Sequence, residues 1–490
     1  MTAEKKIFPK QPLTDQEAKL LALVDEHQDQ LVKLLQDLVR IESLNLSEYE
    51  FCDRSEVFEF TGKHMQEAGF ETTFYKAPFP SGEEDQFYYN LIASYNGNKP
   101  GKTLQFNGHL DTVPYNEEKW NPKTPPLGGV INDGKLYGRG AIDMKAGVAC
   151  QMMAMKIFKD SGVDFKGKLQ MWFTPDEETH GAFGSAFMSI HYLNAIRANA
   201  TIISEPSSMK PLESPAIGIG EKGPHWLKFT FFGAAGHGSM PKEKSNALNK
   251  AVRFMANAKK GLKIPKRKIP MSLFSFLRSL LSRYPILELR KMELTTGDEI
   301  NPLDKDKLKL SALFETTFSF DKIQAGNKTN VIPDTCDLEV DFRVMPGLTT
   351  QELFDALVKY CTRLGYRIEL PDGYSNLQHE LKNFRNEPVD IQLSILTIGD
   401  GSYMDVQSEF GRCLSYAFEA VYETSPVPIF IPGFTDAGNM REAGLEDIFI
   451  LGPGGGNAHD ANEYVDLETM VDITKMYLLV AYRYLTAHYQ

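Results

Sequence analysis

His109 and Asp111 stand two positions apart, directly after residues 102–106 (KTLQF), whose alternating apolar pattern predicts a buried strand. Side chains two apart on an extended chain point to the same side. An imidazole beside a carboxylate is a common way to build a metal ligand, because the carboxylate orients the ring through its second nitrogen. Ordinary polar packing would explain the pair equally well, so its meaning depends on further ligands along the chain.

Further candidate ligands do follow, each at the end of a predicted strand or in a glycine-rich turn. Open α/β sheets collect ligands at the carboxyl ends of their strands, so these side chains should meet at one edge. Packed together, these side chains would repel one another unless a cation were present or one carboxyl stayed protonated. The candidates are Asp143, Glu177, Glu178, Glu205 and His459.

Two divalent ions suit this set. Two imidazoles with several carboxylates and no thiolates favour zinc or a similar metal with open coordination positions, which is typical of a catalytic site. We predict two Zn²⁺, with Co²⁺ or Mn²⁺ as substitutes. Asp143 is the best bridge, because the other ligands then divide into His109 with Glu205 and Glu178 with His459.

Glu177 adjoins the candidate ligand Glu178 but is not needed as a ligand in this division. It is therefore predicted to act as general base on a water molecule activated by the metal, and then to protonate the leaving amine. Asp111 is predicted to orient the imidazole of His109.

The composition restricts the possible partners. A net charge of -12 argues against nucleic acid. The chain begins without an apolar core of signal-peptide length and contains no run of about 18 apolar residues, so we expect no membrane span and a cytoplasmic location. Five scattered cysteines without a CxxC pair are interpreted as reduced thiols rather than metal ligands.

The pattern of elements predicts an α/β fold in which both ends of the chain form one domain. Strands alternate with helices through residues 1–216 and again through 401–490, which indicates a mixed, mostly parallel sheet flanked by helices. Residues 217–400 contain two strand-helix-strand units and suggest an inserted ferredoxin-like α+β domain. Residues 262–315 are an extra segment of that domain. Its amphipathic stretch 273–284 is interpreted as packing within the protein or on a dimer mate, with partner or membrane docking as the alternative.

Some elements are predicted with bounds. A capping box beginning at Thr14 opens a helical pattern that continues to Ile41. Apolar spacing predicts further helices over 145–161 and 350–364, and a final helix from Leu467.

The order of these motifs resembles the co-catalytic zinc hydrolase family that includes aminoacylase, acetylornithine deacetylase, succinyl-diaminopimelate desuccinylase and the glutamate carboxypeptidases. The resemblance extends over nearly the whole chain and implies a zinc-peptidase-like catalytic domain with the metal ligands, bridge and base assigned above. It rests on residues 108–114 (GHLDTVP), 138–145 (GRGAIDMK), 176–178 (DEE), 204–206 (SEP), 236–241 (GHGSMP) and 457–459 (NAH).

The resemblance also implies roles for the inserted domain, which would be a lid that forms a homodimer. His237 would stabilise the oxyanion, often from the partner subunit. Asn330 and Arg343 would bind the substrate, and Arg343 would hold a carboxylate, a role that suits bidentate guanidinium geometry. No family ligand falls on His180, which is interpreted as a polar neighbour.

Three features depart from the family pattern. The segment 262–315 lengthens the lid and leaves open whether His237 acts across a dimer. Phe434 stands in residues 434–438 (FTDAG) where the family usually has a second glycine. The position of Glu205 varies between glutamate and aspartate, and glutamate resembles the deacylase branch.

We therefore predict a di-zinc amide hydrolase that acts on N-acyl amino acids, of the deacylase or deacetylase type. A metallo-carboxypeptidase or dipeptidase acting on short peptides is the alternative within the same chemistry. A non-enzymatic scaffold that assembles through the lid is a remote alternative.

Overall fold

The structure is a computed structural model that describes residues 12–47, 50–80, 85–207, 216–266, 293–294, 308–309, 315–376, 388–431 and 433–486. The amphipathic stretch 273–284 lies outside these residues. In the part of the chain that is described, no helix is both long and apolar enough to cross a membrane. The five cysteines are free thiols, and all except Cys52 are buried.

The helices confirm the bounds predicted for 350–364 and for the helix from Leu467. The pattern between Thr14 and Ile41 forms two helices rather than one, because the backbone of His27 (φ -100°, ψ 9°) leaves helical dihedrals. The described helices are α1 (Asp15–Glu26), α2 (Gln28–Arg40), α3 (Ser55–Glu67), α4 (Ala146–Asp160), α5 (Ser185–His191), α6 (Leu193–Ile196), α7 (Ala247–Gly261), α8 (Thr350–Leu364), α9 (Glu409–Tyr422), α10 (Asp436–Glu442) and α11 (Leu467–Thr486).

The described strands form one large sheet, a sheet of five strands, a sheet of four strands and two-stranded ribbons. They are β1 (Glu71–Pro78), β2 (Phe87–Asn96), β3 (Lys99–His109), β4 (Val130–Asn132), β5 (Lys135–Tyr137), β6 (Lys166–Thr174), β7 (Ala200–Ile203), β8 (Ile217–Glu221), β9 (Gly223–Phe232), β10 (Gly236–His237), β11 (Glu293–Leu294), β12 (Leu308–Lys309), β13 (Thr317–Ala325), β14 (Val331–Ile332), β15 (Thr335–Val344), β16 (Ile368–Glu369), β17 (Ile391–Ile398), β18 (Ser402–Tyr403), β19 (Pro428–Ile431), β20 (Ile448–Ile450), β21 (Gly455–Gly456) and β22 (Tyr464–Asp466). The four-stranded sheet has the order β21-β22-β5-β4.

The nine-stranded sheet has the order β1-β2-β6-β3-β7-β20-β8-β18, with β19 also paired to β8. Its centre, β6-β3-β7-β20, is parallel. Its flanks are antiparallel, at β1-β2-β6 on one side and at β20-β8-β18 on the other. The predicted α/β fold with a mixed sheet flanked by helices is confirmed, and parallel pairing is concentrated at the centre of the sheet.

The central strand β3 explains how the first candidate ligand reaches the sheet edge. Its residues from Leu104 to His109 are all buried, as expected for a parallel strand covered on both faces. Helices α4 and α11 pack against it. The carboxyl end of β3 therefore delivers His109 to the edge where β6 and β7 also end.

The five-stranded sheet has the order β13-β15-β9-β17-β16. The succession β9-α7-β13-β15-α8-β17 is the β-α-β-β-α-β arrangement of a ferredoxin-like unit. Its hydrophobic core, which includes Leu227, Phe254 and Leu357, is distinct from the core of the larger sheet. A lid and dimerisation role for this unit remains a prediction.

The domain division into 1–216, 217–400 and 401–490 also remains a prediction. Strand β8, at residues 217–221, pairs within the nine-stranded sheet. The chain therefore passes to the five-stranded sheet between Glu221 and Gly223, a few residues later than the predicted boundary.

Candidate metal centre

His109 is the last residue of β3, and its side chain has a relative exposure of 0%. Its Nδ1 lies 3.0 Å from the backbone carbonyl oxygen of Asp111, which can only accept a hydrogen bond. Nδ1 therefore carries the ring proton and donates it there, and a carboxylate oxygen of Asp111 lies 3.4 Å away. Without metal, burial opposes protonation of the ring, but hydrogen bonds with Asp111, Asp143 and Glu205 raise the pKa of His109 well above its ordinary value, so Nε2 also carries a proton and donates it to Asp143. A metal would displace that proton and bind the lone pair of Nε2, as in a metal-binding histidine.

Asp143 lies between two histidines. Its Oδ1 is 3.1 Å from His109 Nε2, and its Oδ2 is 3.1 Å from His459 Nε2. The turn that carries it starts from Gly140 in the left-handed region (φ 78°), and Asp143 itself has non-helical dihedrals (φ -118°, ψ 95°) immediately before α4. Each oxygen of one carboxylate thus faces a different imidazole, as a bridging ligand requires.

The predicted ligands form two groups that share Asp143, and within each group the potential ligand atoms lie within 4.8 Å of one another. In the first, His109 Nε2 is 3.5 Å from Glu205 Oε1. In the second, His459 Nε2 is 3.0 Å from Glu178 Oε2. The structure brings the five side chains together in the predicted division, and their coordination of metal remains a prediction.

The charges of the cluster fit a divalent cation. Burial and the charge of Asp143 raise the pKa of Glu205 to about 8 and also raise the pKa of Glu178. Burial opposes ionisation of Asp143, but hydrogen bonds from the two histidines hold its pKa well below the usual range. In the described residues, Glu178 Oε1 is buried without a hydrogen-bond partner. Positive charge at this point would satisfy that oxygen and relieve the repulsion.

Glu177 stands beside both groups and belongs to neither. Its Oε2 lies 3.9 Å from His109 Nε2. Burial and the charge of Glu205 raise the pKa of Glu177 well above its ordinary value. A raised pKa suits a carboxyl group that alternately takes up and releases a proton near neutral pH.

Asp111 organises the loop that carries the two glutamates. Its Oδ1 accepts a hydrogen bond from the backbone N–H of Glu177, and its Oδ2 accepts one from that of Glu178, each at 3.2 Å. One carboxylate therefore sets the position of this loop as well as lying beside the His109 ring. The predicted orienting role of Asp111 is consistent with these contacts and remains a prediction.

Sequence analysis missed two residues that support this arrangement. Asn45 donates its side-chain N–H to Asp111 Oδ2 at 2.7 Å. Arg54 donates to the carbonyl oxygens of Leu44 and Pro175, at 2.8 and 3.0 Å. Asn45 and Arg54 lie 66 and 121 positions from Asp111 and Pro175 in the chain, so no local pattern could have identified them.

His459 opens the cluster to solvent. Its side chain is 53% exposed, and its backbone lies in the left-handed region (φ 64°) of a glycine-rich loop. Hydrogen bonds with Asp143 and Glu178 raise the pKa of His459 to about 11. A site with one exposed ligand can admit a substrate, whereas structural metal sites are closed.

His237 and Asn330 lie together at a separate ribbon. His237 in β10 pairs with Val331 in β14, and Gly238 donates its N–H to the carbonyl oxygen of Asn330 at 2.8 Å. In the described part of the chain, the side-chain partner of His237 is Ser239 Oγ at 2.7 Å, and both residues are exposed. None of these contacts involves a candidate metal ligand. The roles of His237 in oxyanion stabilisation and of Asn330 in substrate binding therefore remain predictions.

Arg343 lies half-buried in β15 and donates its Nε–H to Asp341 Oδ2 at 3.0 Å. Asp341 is opposite Trp226 in β9, so the three side chains share one face of the five-stranded sheet. The Trp226 ring meets the ring of His180 edge-on, with centroids 4.6 Å apart. His180 lies two residues after Glu178. This face of the five-stranded sheet therefore contacts the segment that carries Glu177 and Glu178.

Residues 105–483 match the sequence profile of Peptidase family M20/M25/M40. The chain belongs to this family, and the resemblance drawn from its motifs is confirmed. The protein is a metal-dependent hydrolase. Membership of this family is evidence against the hypothesis of a non-enzymatic scaffold.

The chain is similar to two sequence relatives and, in fold, to one solved structure. An uncharacterized metallohydrolase of Methanocaldococcus jannaschii is 25% identical over 461 residues, 92% of this chain and 98% of the relative. Succinyl-diaminopimelate desuccinylase 2 of a Ruegeria species is 36% identical over 169 residues, 34% of this chain and 42% of the relative. Human carnosine dipeptidase 1 shares the fold with a TM-score of 0.64 at 17% identity, over 96% of this chain and 98% of that one.

Proposed function

We propose that the protein is a di-zinc hydrolase that cleaves the amide bond of N-acyl amino acids, of the deacylase or deacetylase type. One observation carries the two-metal part of the proposal: the two oxygens of Asp143 face separate histidines, each accompanied by a second carboxylate. Glu177 lies beside this arrangement and remains free to move a proton.

The ligands assigned to the first ion are His109, Asp143 and Glu205, and those assigned to the second are Asp143, Glu178 and His459. When bound, the ions would polarise the scissile carbonyl and lower the pKa of water, and Co²⁺ or Mn²⁺ would serve as substitutes for zinc.

Glu177 would accept the proton of the attacking water at its carboxylate and later donate it to the nitrogen of the leaving amine. His237 would donate an N–H to the oxyanion of the tetrahedral intermediate. Because the side chain of His237 contacts Ser239 of its own turn among the described residues and is exposed, delivery from a partner subunit in a homodimer fits its position.

Mixing two inactive variants would test that delivery. If His237 acts across a dimer, subunits carrying His237→Ala and subunits carrying Glu177→Ala should recover activity when mixed, since a hybrid dimer holds one site with both wild-type residues. Activity of the mixture is compared with that of each variant alone. A dimer that exchanges subunits without recovering activity would show that His237 does not act in trans. The homodimer and the cytoplasmic location remain predictions.

Arg343 would bind the free carboxylate of the substrate, with Asn330 as a second binding residue. An Arg343→Lys variant should raise KM by about 10- to 100-fold with a smaller change in kcat, because a point charge replaces a planar pair of donors. Steady-state kinetics on an N-acyl amino acid and on its C-terminal amide would measure this. The wild type should prefer the acid, and the variant should show a smaller preference, because lysine keeps the charge but not the paired donors. An unchanged preference would contradict the assignment.

A metallo-carboxypeptidase or dipeptidase is supported equally by the family, because the same metal chemistry cleaves peptide bonds. The desuccinylase relative is compatible with an N-acyl substrate, and its match extends over about a third of the chain.

A panel of N-acyl amino acids and dipeptides, incubated with zinc-loaded protein, would separate the two candidates. Amine release from the acylated amino acids, abolished by Glu177→Ala, is the expected result. Faster cleavage of dipeptides would replace the deacylase with the peptidase. Intact zinc-loaded protein that cleaved neither class would contradict both substrate assignments.

Metal removal should make thermal stability depend on pH. Without metal, the pKa values of Glu205 and His459 are raised to about 8 and about 11. Both groups then bind protons more tightly in the folded state, so their contribution to stability is complete at low pH and is lost as the pH rises through the folded values. The metal-free protein should lose stability between about pH 5 and pH 8, at first through Glu205 together with Glu177 and Glu178, whose pKa values are also raised, and through His459 as well above about pH 6.5.

Thermal melts of zinc-loaded and chelator-treated protein would show a gap in Tm that widens with pH over this range. A gap that stayed constant would contradict the assigned titrations.

A further inference from the structure

Glu463 is a fully buried carboxylate four residues after His459 and directly before β22. Strand β22 pairs with β5, with Tyr464 opposite Tyr137, and Gly138 donates its N–H to the carbonyl oxygen of Glu463 at 3.0 Å. This pairing brings the Glu463 side chain against the turn that carries Asp143.

Four donors of that turn converge on the Glu463 carboxylate. Oε1 accepts from the N–H groups of Ile142 at 3.0 Å and Asp143 at 3.2 Å. Oε2 accepts from the N–H of Gly140 at 3.1 Å and from Nη1 of Arg139. Both oxygens are occupied by N–H donors, so Glu463 is not available as a metal ligand.

Arg139 extends the same contacts to the loop of His459. It is buried, and its Nη2 donates to the carbonyl oxygen of Asp460 at 3.3 Å. Glu463 and Arg139 therefore join the turn of Asp143 to the loop of His459, the two segments whose side chains meet at 3.1 Å in the cluster.

The irregular backbone of the turn explains why it needs this support. Asp143 leaves helical dihedrals, and the N–H groups around it find an anionic acceptor in Glu463. Buried N–H groups are costly to leave without an acceptor, so a turn without this carboxylate would shift to find other partners. Because Asp143 lies between both groups of ligands, its displacement would disturb both ions.

We propose that Glu463 is a positioning residue that holds Asp143 and the His459 loop in register for metal binding. This inference rests on the proposed two-metal function. Residues that support metal ligands in this way typically change metal affinity by about 10- to 100-fold when they are replaced.

A Glu463→Gln variant tests the role, because it keeps the shape of the side chain and replaces one acceptor oxygen with a donor. Glu17→Gln is the matched control: Glu17 is also a buried glutamate paired with an arginine, Arg483, but it lies in α1. Glu463→Asp, which keeps the charge on a shorter arm, serves as a second variant if the glutamine variant fails to fold. Affinities for Zn²⁺ are measured by chelator competition, and the Co²⁺-loaded proteins are compared by their visible absorption.

We expect Glu463→Gln to bind Zn²⁺ about 10- to 100-fold more weakly and to change the Co²⁺ spectrum, and Glu463→Asp to lose about tenfold in affinity. Glu17→Gln should lower Tm and leave both metal readouts as in the wild type. Folded Glu463 variants with wild-type affinity and an unchanged spectrum would overturn the positioning role alone. A wild-type protein that bound no metal would overturn the proposed function together with it.

Discussion

A Glu177→Gln variant should bind metal as the wild type does and yet turn over its substrate about 10²- to 10⁴-fold more slowly. The amide has nearly the shape of the carboxylate but cannot accept the proton of water or pass it to the leaving nitrogen. Glu177 lies 3.9 Å from a ring nitrogen of His109 and in neither group of ligands, so its loss should spare the metal.

The neighbouring residue provides a matched contrast. Glu178 has an oxygen 3.0 Å from His459 Nε2 and belongs to the second group of ligands. A Glu178→Gln variant should therefore lose metal as well as activity. Metal content by elemental analysis, kcat and KM are measured on both variants. If Glu177→Gln lost metal, or kept wild-type kcat with full metal, the base would have to be sought elsewhere.

An Asp143→Asn variant should lose tight binding of at least one ion and about 10³-fold or more in kcat. The amide keeps one oxygen and presents an NH₂ group to the other histidine, so it cannot bridge. Loss of Lewis-acid stabilisation of several kcal/mol corresponds to a rate loss of this size, at about 1.4 kcal/mol per factor of ten.

Variants that each remove one histidine ligand distinguish the two predicted zinc sites. His109→Asn and His459→Asn each remove a ligand from one group only, so each should weaken one equivalent of zinc more than the other. Asp37→Asn, which removes a partly exposed carboxylate of α2 that pairs with Lys33, controls for the loss of charge. Two tightly bound zinc ions in Asp143→Asn would contradict the shared ligand.

Much of the local structure could be predicted because local interactions determine it. Helix α8 begins after a capping box formed by Thr349 and Glu352 and ends at Gly365, which adopts left-handed dihedrals (φ 81°). These signals lie within one helical turn of the ends that they define, which is why the predicted bounds hold. The alternating apolar pattern before His109 similarly predicts a buried strand, and β3 is a buried central strand that ends at His109.

The five candidate ligands could be selected from the sequence by residue type and by their positions at strand ends. Imidazoles and carboxylates have few other reasons to gather there, and a shared bridge is the simplest way to divide them between two ions. The side-chain distances around Asp143 are consistent with that division. Glu177 is predicted as the base because it adjoins the ligand Glu178 without being needed as a ligand, and that role remains a prediction.

Only the tertiary structure revealed what holds these groups in place. Glu463 contacts the backbone of residues that precede it by 320 positions or more, and Asn45 contacts Asp111 across 66 positions. The pairing of β8 within the larger sheet and the contact of Trp226 with His180 depend equally on distant segments. The residues that do chemistry are recognisable by type because the chemistry restricts them. The supporting contacts are made by residue types that occur throughout the sequence, and they join segments that are far apart in it. Such residues meet their partners only when the chain folds, so the sequence alone does not show which residues will pair.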